Sequence, residues 1–139
     1  SMANGVYVLV ISVSNMLERV GALGSINFEK GWYAYVGSAQ KCLESRIHRH
    51  LRKAKQKFWH IDYLLDDDAV KVLEVFHKEA EKPDECKIAK KISVHASEKG
   101  ISIQGFGSSD CKCISHLFKL KDYRFLREFM HKASMPSEY

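Results

Sequence analysis

No stretch of this sequence is apolar for long enough to cross a membrane. The longest strand-like apolar run covers residues 6–13, whereas a spanning helix needs about 20 apolar residues. The run also lacks the basic flank of a secretion signal, and the chain contains neither an internal repeat nor a low-complexity segment. We therefore expect a cytoplasmic protein that does not bind membranes and whose thiols are reduced.

Cysteine is also scarce, with four residues in the chain. Cys86, Cys111 and Cys113, together with His116, offer the side chains of a zinc site. Their spacing does not repeat the paired C-x₂₋₄-C pattern of common zinc modules. Reduced structural thiols are therefore the favoured interpretation, and a zinc site is the alternative.

Length and composition fit one globular domain. The chain has 139 residues, of which 45% are apolar, so it can bury a core without disulfides or a structural metal. We assign a single domain to residues 3–132, with a core at 5–97 and an extension at 98–132.

The net charge of +5 is only a weak indication of a phosphate-rich partner. The placement of the charge is more informative, because basic side chains cluster in one short stretch. They are His48, Arg49, His50, Arg52, Lys53, Lys55 and Lys57. Taken alone, such a run is typical of a solvated helix face, and a nucleic-acid contact is the competing interpretation.

Hydrophobic periodicity predicts the order of strands and helices. Strands are expected at residues 6–11, 31–37 and 70–76, with a short edge strand at 101–103. Helices are expected at 43–54, 60–65, 84–96 and 123–132, and a loop at 15–28. The first two strands are joined by that loop, so we expect them to pair antiparallel. The expected fold class is α+β, with a small central three-stranded antiparallel sheet flanked by helices and a C-terminal extension.

Glu85 breaks the apolar pattern of its helix. It shares a stripe with Ile88, Ala89 and Ile92 at helical spacing. A carboxylate on a core-facing stripe is uncommon unless it is paired or binds a cation. An acid in the first helical turn also interacts favourably with the helix dipole. Spacing alone leaves these two interpretations equally open.

Two tyrosines and two cationic residues are further candidates. Tyr7 and Tyr35 lie on strands expected to be central, where tyrosines usually pack and bond through the hydroxyl. Arg46 and His50 lie one helical turn apart beside an apolar stripe, where such stems usually cover apolar neighbours. Considered singly, all four favour a structural role.

Considered together, these residues resemble the GIY-YIG nuclease superfamily. Gly5-Val6-Tyr7 is similar to its first motif and Tyr35-Val36-Gly37 to its second, each with valine in place of isoleucine. Arg46 and then His50 follow on the next helix. Glu85 opens the helix that carries the metal-binding glutamate in that superfamily.

The resemblance covers residues 5–92, and several motifs are similar to one branch of the superfamily. These motifs are Tyr35-Val36-Gly37-Ser38-Ala39, Trp59-His60-Ile61-Asp62-Tyr63-Leu64, Glu85-Cys86 and Gly105-Phe106-Gly107-Ser108-Ser109-Asp110-Cys111. The branch allows either a nuclease or a binding module of the same fold.

The resemblance implies how these residues would act on a phosphodiester bond. Tyr7 would be the general base for the attacking water, and Tyr35 would position the water or the phosphate. A free tyrosine has a pKa near ~10, so Lys41, Arg46 and His50 would supply the positive field that Tyr7 needs. Arg46 would also pair with the scissile phosphate through its planar fork.

The same resemblance implies a metal ion and a contact surface. Glu85 would hold one Mg²⁺ or Mn²⁺ ion, which usually needs only one or two protein carboxylates. His60 is expected either to donate to a phosphate or, equally, to pack on the surface. Arg46, Arg49 and Lys53, on one helix, would contact the nucleic-acid backbone.

The function implied is a metal-dependent endonuclease that hydrolyses phosphodiester bonds in DNA, in repair or recombination. DNA is favoured over RNA, and a partner protein could supply specificity. The alternative is a non-catalytic nucleic-acid-binding module of the same fold. Retention of Tyr7, Tyr35, Arg46 and Glu85 favours the enzyme.

Overall fold

The structure is a computed structural model that describes residues 4–15, 17–21, 24–52, 56–96, 106 and 115–133, with the backbone alone at 17–21. The strands are β1 Gly5–Val13, β2 Leu17–Gly21, β3 Gly24–Phe28, β4 Gly31–Ala39, β5 Val70–Glu79, β6 Leu117–Leu120 and β7 His131–Lys132. The α-helices are α1 Leu43–Leu51, α2 His60–Leu65 and α3 Asp84–Ser93, and a 3₁₀ helix covers Arg124–Glu128. Within these described residues, no helix is long and apolar enough to span a membrane.

Five strands form one antiparallel sheet in the order β6-β4-β1-β5-β7, and β2 pairs with β3 separately. As expected, β1 is central and pairs antiparallel with β4. The prediction of a three-stranded sheet is wrong, because the C-terminal residues add β6 beside β4 and β7 beside β5. Both edges of a three-stranded core would leave backbone N–H and C=O groups without partners, and the two added strands pair with part of each edge. The fold is still α+β.

Side chains of β1 alternate between two cores, one on each face of the sheet. Tyr7, Leu9 and Ile11 face α1 and α2. Val6, Val8 and Val10 face α3 and the C-terminal residues. This arrangement explains why the strand is apolar at successive positions.

Gly5 permits the close approach of α1 to β1. A Cβ atom at this position would lie 2.8 Å from Cδ2 of Leu43 and 2.9 Å from the carbonyl oxygen of Lys78. The first motif therefore begins with glycine for reasons of space. The approach fixes the distance between Tyr7 on β1 and the polar side chains of α1.

The C-terminal segment, residues 115–133, runs from one edge of the sheet to the other. It crosses the α3 face, where Leu126 and Met130 are buried. The prediction of an α-helix at 123–132 is wrong. The helical part is a short 3₁₀ helix, because the last residues of the segment pair with the edge of β5 instead.

The predicted loop at 15–28 is also wrong, since this region contains the pair of strands β2 and β3. Gly24, the first residue of β3, has a φ of 88°, a value that residues other than glycine rarely adopt. Helices α1 and α3 are shorter than predicted. The strand predicted at 101–103 lies outside the described residues.

Candidate active site

An open cleft of about 330 Å³ lies near the start of β1 and the end of β4. Side chains from both strands, from α1 and from the residues at the starts of α2 and α3 line it. They are Tyr7, Tyr35, Gly37, Ser38, Gln40, Arg46, Phe58, Trp59, His60, Lys82 and Glu85. The structure thus brings together most of the residues to which the sequence assigned a catalytic or metal-binding role.

The ring of Tyr7 occupies the space in front of Gly37. The two residues are paired across β1 and β4. A Cβ atom at Gly37 would overlap the ring and the hydroxyl group of Tyr7. The glycine of the second motif is therefore required by the tyrosine of the first.

His50 supports Tyr7 from the protein interior. The hydroxyl group of Tyr7 and Nε2 of His50 form a hydrogen bond of 2.6 Å, and both side chains are buried. The ring centroid of His50 lies 5.2 Å from that of Tyr7 and 6.0 Å from that of Tyr35. The imidazole is therefore in place to exchange a proton with Tyr7.

Burial raises the pKa of Tyr7 above its ordinary value of 10.0, while the charge and hydrogen bond of Arg46 oppose this. Burial is also the main reason that the pKa of Tyr35 is raised. The sequence predicted that cationic neighbours would lower the pKa of Tyr7. Arg46 acts in that direction, but burial is the larger effect, so Tyr7 keeps its proton at neutral pH.

Asp62, a buried carboxylate, lies on the other side of His50. Its Oδ1 atom is 4.0 Å from Nδ1 of His50. The guanidinium of Arg49 donates to it at 3.0 and 2.9 Å, and the backbone N–H groups of Phe58 and Trp59 donate at 2.8 and 3.0 Å. Burial acts to raise the pKa of Asp62, but these hydrogen bonds and the charge of Arg49 outweigh it and hold the pKa below 3.8. Asp62 is therefore an anion at neutral pH.

Arg46 is anchored at the edge of the cleft. Its Nη1 donates to the carbonyl oxygen of Ser38 at 2.8 Å, and its guanidinium carbon lies 4.6 Å from the ring centroid of Trp59. A guanidinium has five N–H donors. The contact with Ser38 therefore fixes the direction of the group without using all of its donors.

The other residues predicted to contact the substrate are placed differently. Arg49 is engaged by the buried carboxylate and also donates to the carbonyl oxygen of Gln56 at 2.8 Å. Lys41 is exposed beside a neighbouring shallow pocket that shares Arg46 with the cleft. Lys53 lies outside the described residues. A substrate contact by any of these three stays a prediction, and Arg49 has a structural role in addition.

The carboxylate of Glu85 connects two elements of the sheet. Oγ of Ser38, on β4, donates to its Oε1, and Nδ1 of His116, just before β6, lies 2.7 Å from its Oε2. The side chain of Glu85 is 14% exposed and that of His116 is 1% exposed. The core-facing position of Glu85 is thus accompanied by polar partners inside the protein.

These residues fit one divalent ion. A carboxylate has about four lone-pair sites, so Glu85 can keep both partners and still bind a cation. Ser38 and Gln40 add neutral oxygen atoms to the same cleft. Mg²⁺ or Mn²⁺ would complete its shell with water and substrate phosphate. In the part of the chain that the structure describes, no group of three or more His, Cys, Asp or Glu side chains is arranged to hold an ion by itself.

The zinc interpretation concerns residues that are described only in part. Cys111 and Cys113 lie outside the described residues. Sγ of Cys86 is 3.9 Å from Nε2 of His116, whereas Glu85 approaches Nδ1 of the same ring. Glu85 and Cys86 therefore lie at different ring nitrogens of His116. One ion bound to a single nitrogen of this ring could not take Glu85 and Cys86 together as ligands.

A family model described as a domain of unknown function, DUF123, matches residues 6–137. The chain belongs to the DUF123 family. The match begins at the first motif and includes the C-terminal segment that carries His116, so the whole cleft lies within the family domain. No curated protein and no solved structure gives a significant match to the chain.

Sequence reasoning gave no role to Asp62, Lys82 or Phe58, and considered His116 only with the cysteines. One signal was present for Asp62. It lies between the buried residues Ile61 and Leu64 in the first turn of a helix, so it breaks an apolar pattern as Glu85 does. The sequence contains no comparable signal for the other three.

Proposed function

We propose that this DUF123 chain is a metal-dependent endonuclease of the GIY-YIG type that hydrolyses phosphodiester bonds in DNA. The observation that carries the proposal is the hydrogen bond between Tyr7 and His50, at a cleft that also contains Arg46 and Glu85. A proton acceptor, a phosphate ligand and a metal-binding carboxylate then share one space, as phosphodiester hydrolysis requires.

The proton of the attacking water would leave through Tyr7 to His50. Tyr7 keeps its own proton at rest, because burial raises its pKa. As the water gives a proton to the Tyr7 oxygen, the hydroxyl proton of Tyr7 passes to Nε2 of His50 across 2.6 Å. The hydroxide so formed attacks phosphorus, and the 3′-oxygen leaves with the electron pair of the broken P–O bond and takes a proton from solvent water.

Asp62 would stabilise the positive charge that His50 gains. Its carboxylate lies 4.0 Å from Nδ1 of His50 and remains ionised. The attraction acts in a buried site, where charges are screened less than in water. Asp62 would act through His50, without touching the substrate.

Arg46, Tyr35 and Glu85 would act on the phosphate side of the cleft. Arg46 would bind two phosphate oxygens through its fork, held in direction by Ser38. Tyr35 would orient the water or the phosphate by a hydrogen bond. When bound to Glu85, Mg²⁺ or Mn²⁺ would supply positive charge to the leaving 3′-oxygen.

The proposal includes a role in DNA repair or recombination, with DNA rather than RNA as the substrate. The net charge of +5 and the positions of Arg46 and Lys82 in the cleft suit a polyanionic chain. A partner protein would add to the specificity that the cleft itself provides.

A non-catalytic nucleic-acid-binding module is the second candidate. It is favoured by the contacts of Glu85, whose two oxygens each have a protein partner, Ser38 and His116. A carboxylate satisfied in this way is stable without an ion. Both candidates predict binding of DNA, and only the first predicts cleavage.

The deciding experiment incubates the protein with labelled duplex, flap, forked, gapped and single-stranded DNA, and with RNA, in Mg²⁺, Mn²⁺ or EDTA. We expect cleavage of DNA with either ion, none in EDTA, and none by Glu85→Gln. That substitution keeps the shape of the side chain and an oxygen acceptor, so the fold should be retained. Binding without cleavage of any substrate would favour the second candidate.

A further inference from the structure

Phe58 is an exposed aromatic side chain at the rim of the cleft. It is 67% exposed and lines the cleft together with Tyr7, Arg46 and Glu85. A single exposed phenylalanine is ordinary on a protein surface. Phe58 differs from a scattered apolar residue because it lies beside the proposed site and because its backbone N–H is bonded to a buried carboxylate.

The backbone that carries Phe58 is fixed by a buried charge pair. The N–H of Phe58 donates to Oδ2 of Asp62 at 2.8 Å, and the neighbouring N–H of Trp59 donates to the same atom at 3.0 Å. Asp62 is fully buried and accepts two hydrogen bonds from Arg49. Arg49 also donates to the carbonyl oxygen of Gln56, just before this pair of aromatics. The backbone at Phe58 is therefore already ordered, so a ligand that binds there does not have to order it.

A cationic side chain lies near the exposed ring, and two more line the same cleft. The guanidinium carbon of Arg49 lies 5.7 Å from the ring centroid of Phe58 and 4.3 Å from that of Trp59. Arg46 and Lys82 line the same cleft. An aromatic face next to cations suits a strand in which a phosphate and a nucleobase are adjacent, because the cations bind the phosphate and the ring stacks on the base.

We propose that Phe58 is a stacking platform for an unpaired nucleobase, and that this site therefore takes DNA with an unpaired nucleotide beside the phosphate bound at Arg46. The position of that phosphate rests on the proposed function. Within an intact duplex, a base is covered on both faces by its neighbours, so its ring is not accessible to Phe58. A base in a gap, a flap or a bulge has an open face. The platform thus selects for interrupted duplexes over continuous ones.

The test measures equilibrium binding in EDTA, so that no strand is cut. Three labelled duplexes are compared: fully paired, with one internal unpaired nucleotide, and with an abasic residue at that same unpaired position. We expect the parent protein to bind the unpaired base more tightly than the abasic residue, by roughly 5- to 150-fold. Phe58→Ala should remove this difference and leave the affinity for the paired duplex unchanged, and Phe58→Trp should keep it.

Tyr63→Ala is the matched control. Tyr63 is a half-exposed aromatic on α2, 5.8 Å from Nζ of Lys57, and it does not belong to the lining of the cleft. This variant should retain the preference for the unpaired base. Equal binding of base and abasic residue by the parent, or a preference that survives Phe58→Ala, would overturn the proposal. An equal loss for all three duplexes in Phe58→Ala would overturn it too.

The outcome separates this inference from the proposed nuclease activity. A preference for the unpaired base that depends on Phe58, without cleavage in Mg²⁺ or Mn²⁺, supports the platform and contradicts the nuclease. Cleavage of DNA with no dependence of binding on Phe58 supports the nuclease and contradicts the platform.

Discussion

Nδ1 of His116 lies 2.7 Å from Oε2 of Glu85, and this contact joins the C-terminal segment to the candidate metal-binding residue. The backbone of His116 is held on both sides. Its N–H donates to the carbonyl oxygen of Phe106 at 2.8 Å, and its carbonyl oxygen accepts from the N–H of Val36 at 2.9 Å. The ring is therefore in a fixed position relative to β4, and it limits the directions that the Glu85 carboxylate can take.

His116→Ala is expected to weaken Mn²⁺ binding by about 10- to 100-fold, the usual effect of losing a residue that orients a metal ligand. Titration calorimetry with Mn²⁺ measures this without any need for activity. His95→Ala is the control, because His95 is exposed and stacks on Phe125, 3.7 Å between centroids, away from the cleft. Unchanged Mn²⁺ affinity in His116→Ala would mean that Glu85 holds an ion without this support.

Tyr7→Phe is expected to lower the cleavage rate by about 10²- to 10⁴-fold, since it removes the group that passes a proton to His50. Its hydrogen bond should contribute only about 0.5–1.5 kcal/mol to the free energy of unfolding. Tyr33→Phe is the matched control: this buried tyrosine donates to the carbonyl oxygen of Glu29 at 2.7 Å, outside the cleft. Single-turnover cleavage rates and melting temperatures of both variants test this prediction. Equal cleavage rates for the two variants would remove Tyr7 from the mechanism.

Asp62→Asn should reduce stability at neutral pH by about 1.5–3 kcal/mol, because charge-assisted hydrogen bonds to a buried carboxylate are lost. Its folded-state pKa is depressed below 3.8, so the stabilisation is present above that value and is lost as the pH falls through the folded pKa. Denaturant unfolding between neutral and acidic pH should therefore show a flatter dependence on pH for the variant.

Asp66→Asn serves as the reference for this series. Asp66 is exposed and pairs with Lys57 at 3.3 Å, and such surface pairs contribute at most about 1 kcal/mol. If Asp62→Asn were no less stable than Asp66→Asn, the carboxylate of Asp62 would not be the support of the Phe58–Trp59 backbone.

Lys82→Ala is expected to weaken DNA binding to a similar extent for all sequences. It should also make the plot of log affinity against log salt concentration less steep, by about one unit of slope. Lys82 lines the cleft, where we expect it to contact a backbone phosphate, and the sequence did not indicate this role. Lys71→Ala is the control, because Lys71 is exposed on β5. Anisotropy titrations at several salt concentrations give the slope for each protein. Equal slopes for Lys82→Ala and the parent protein would exclude a contact between Lys82 and a phosphate.

The residues of the cleft that the sequence predicted are those carried by short motifs. Tyr7 and Tyr35 follow from the two strand motifs, Arg46 from its helix, and Glu85 from its place on an apolar stripe. Each signal is local and weak by itself, and the four residues were assigned to one site by their combined resemblance to a known superfamily. His116 could not be predicted in this way, because its contact with Glu85 depends on the pairing of β6 with β4.

The fold was predictable where a pattern belongs to one element and not where two elements decide it. The apolar strand β1, its antiparallel partner β4 and helix α2 agree with the sequence prediction. A 3₁₀ helix and β7 stand where an α-helix was predicted at 123–132, because the residues after the 3₁₀ helix bond to the edge of β5. Whether these residues continue as a helix or form a strand depends on β5, which is far away in the sequence. Local periodicity contains no information about that pairing.

The C-terminal segment supplies both outer strands of the sheet, and this has a consequence for synthesis of the protein on the ribosome. A nascent chain that ends before residue 115 contains β1, β4 and β5 but has neither β6 nor β7, so the parts of β4 and β5 that these strands cover can pair with another polypeptide. The same nascent chain lacks the imidazole that contacts Glu85. Coverage of these parts of the two sheet edges and completion of the site therefore both depend on residues 115–133.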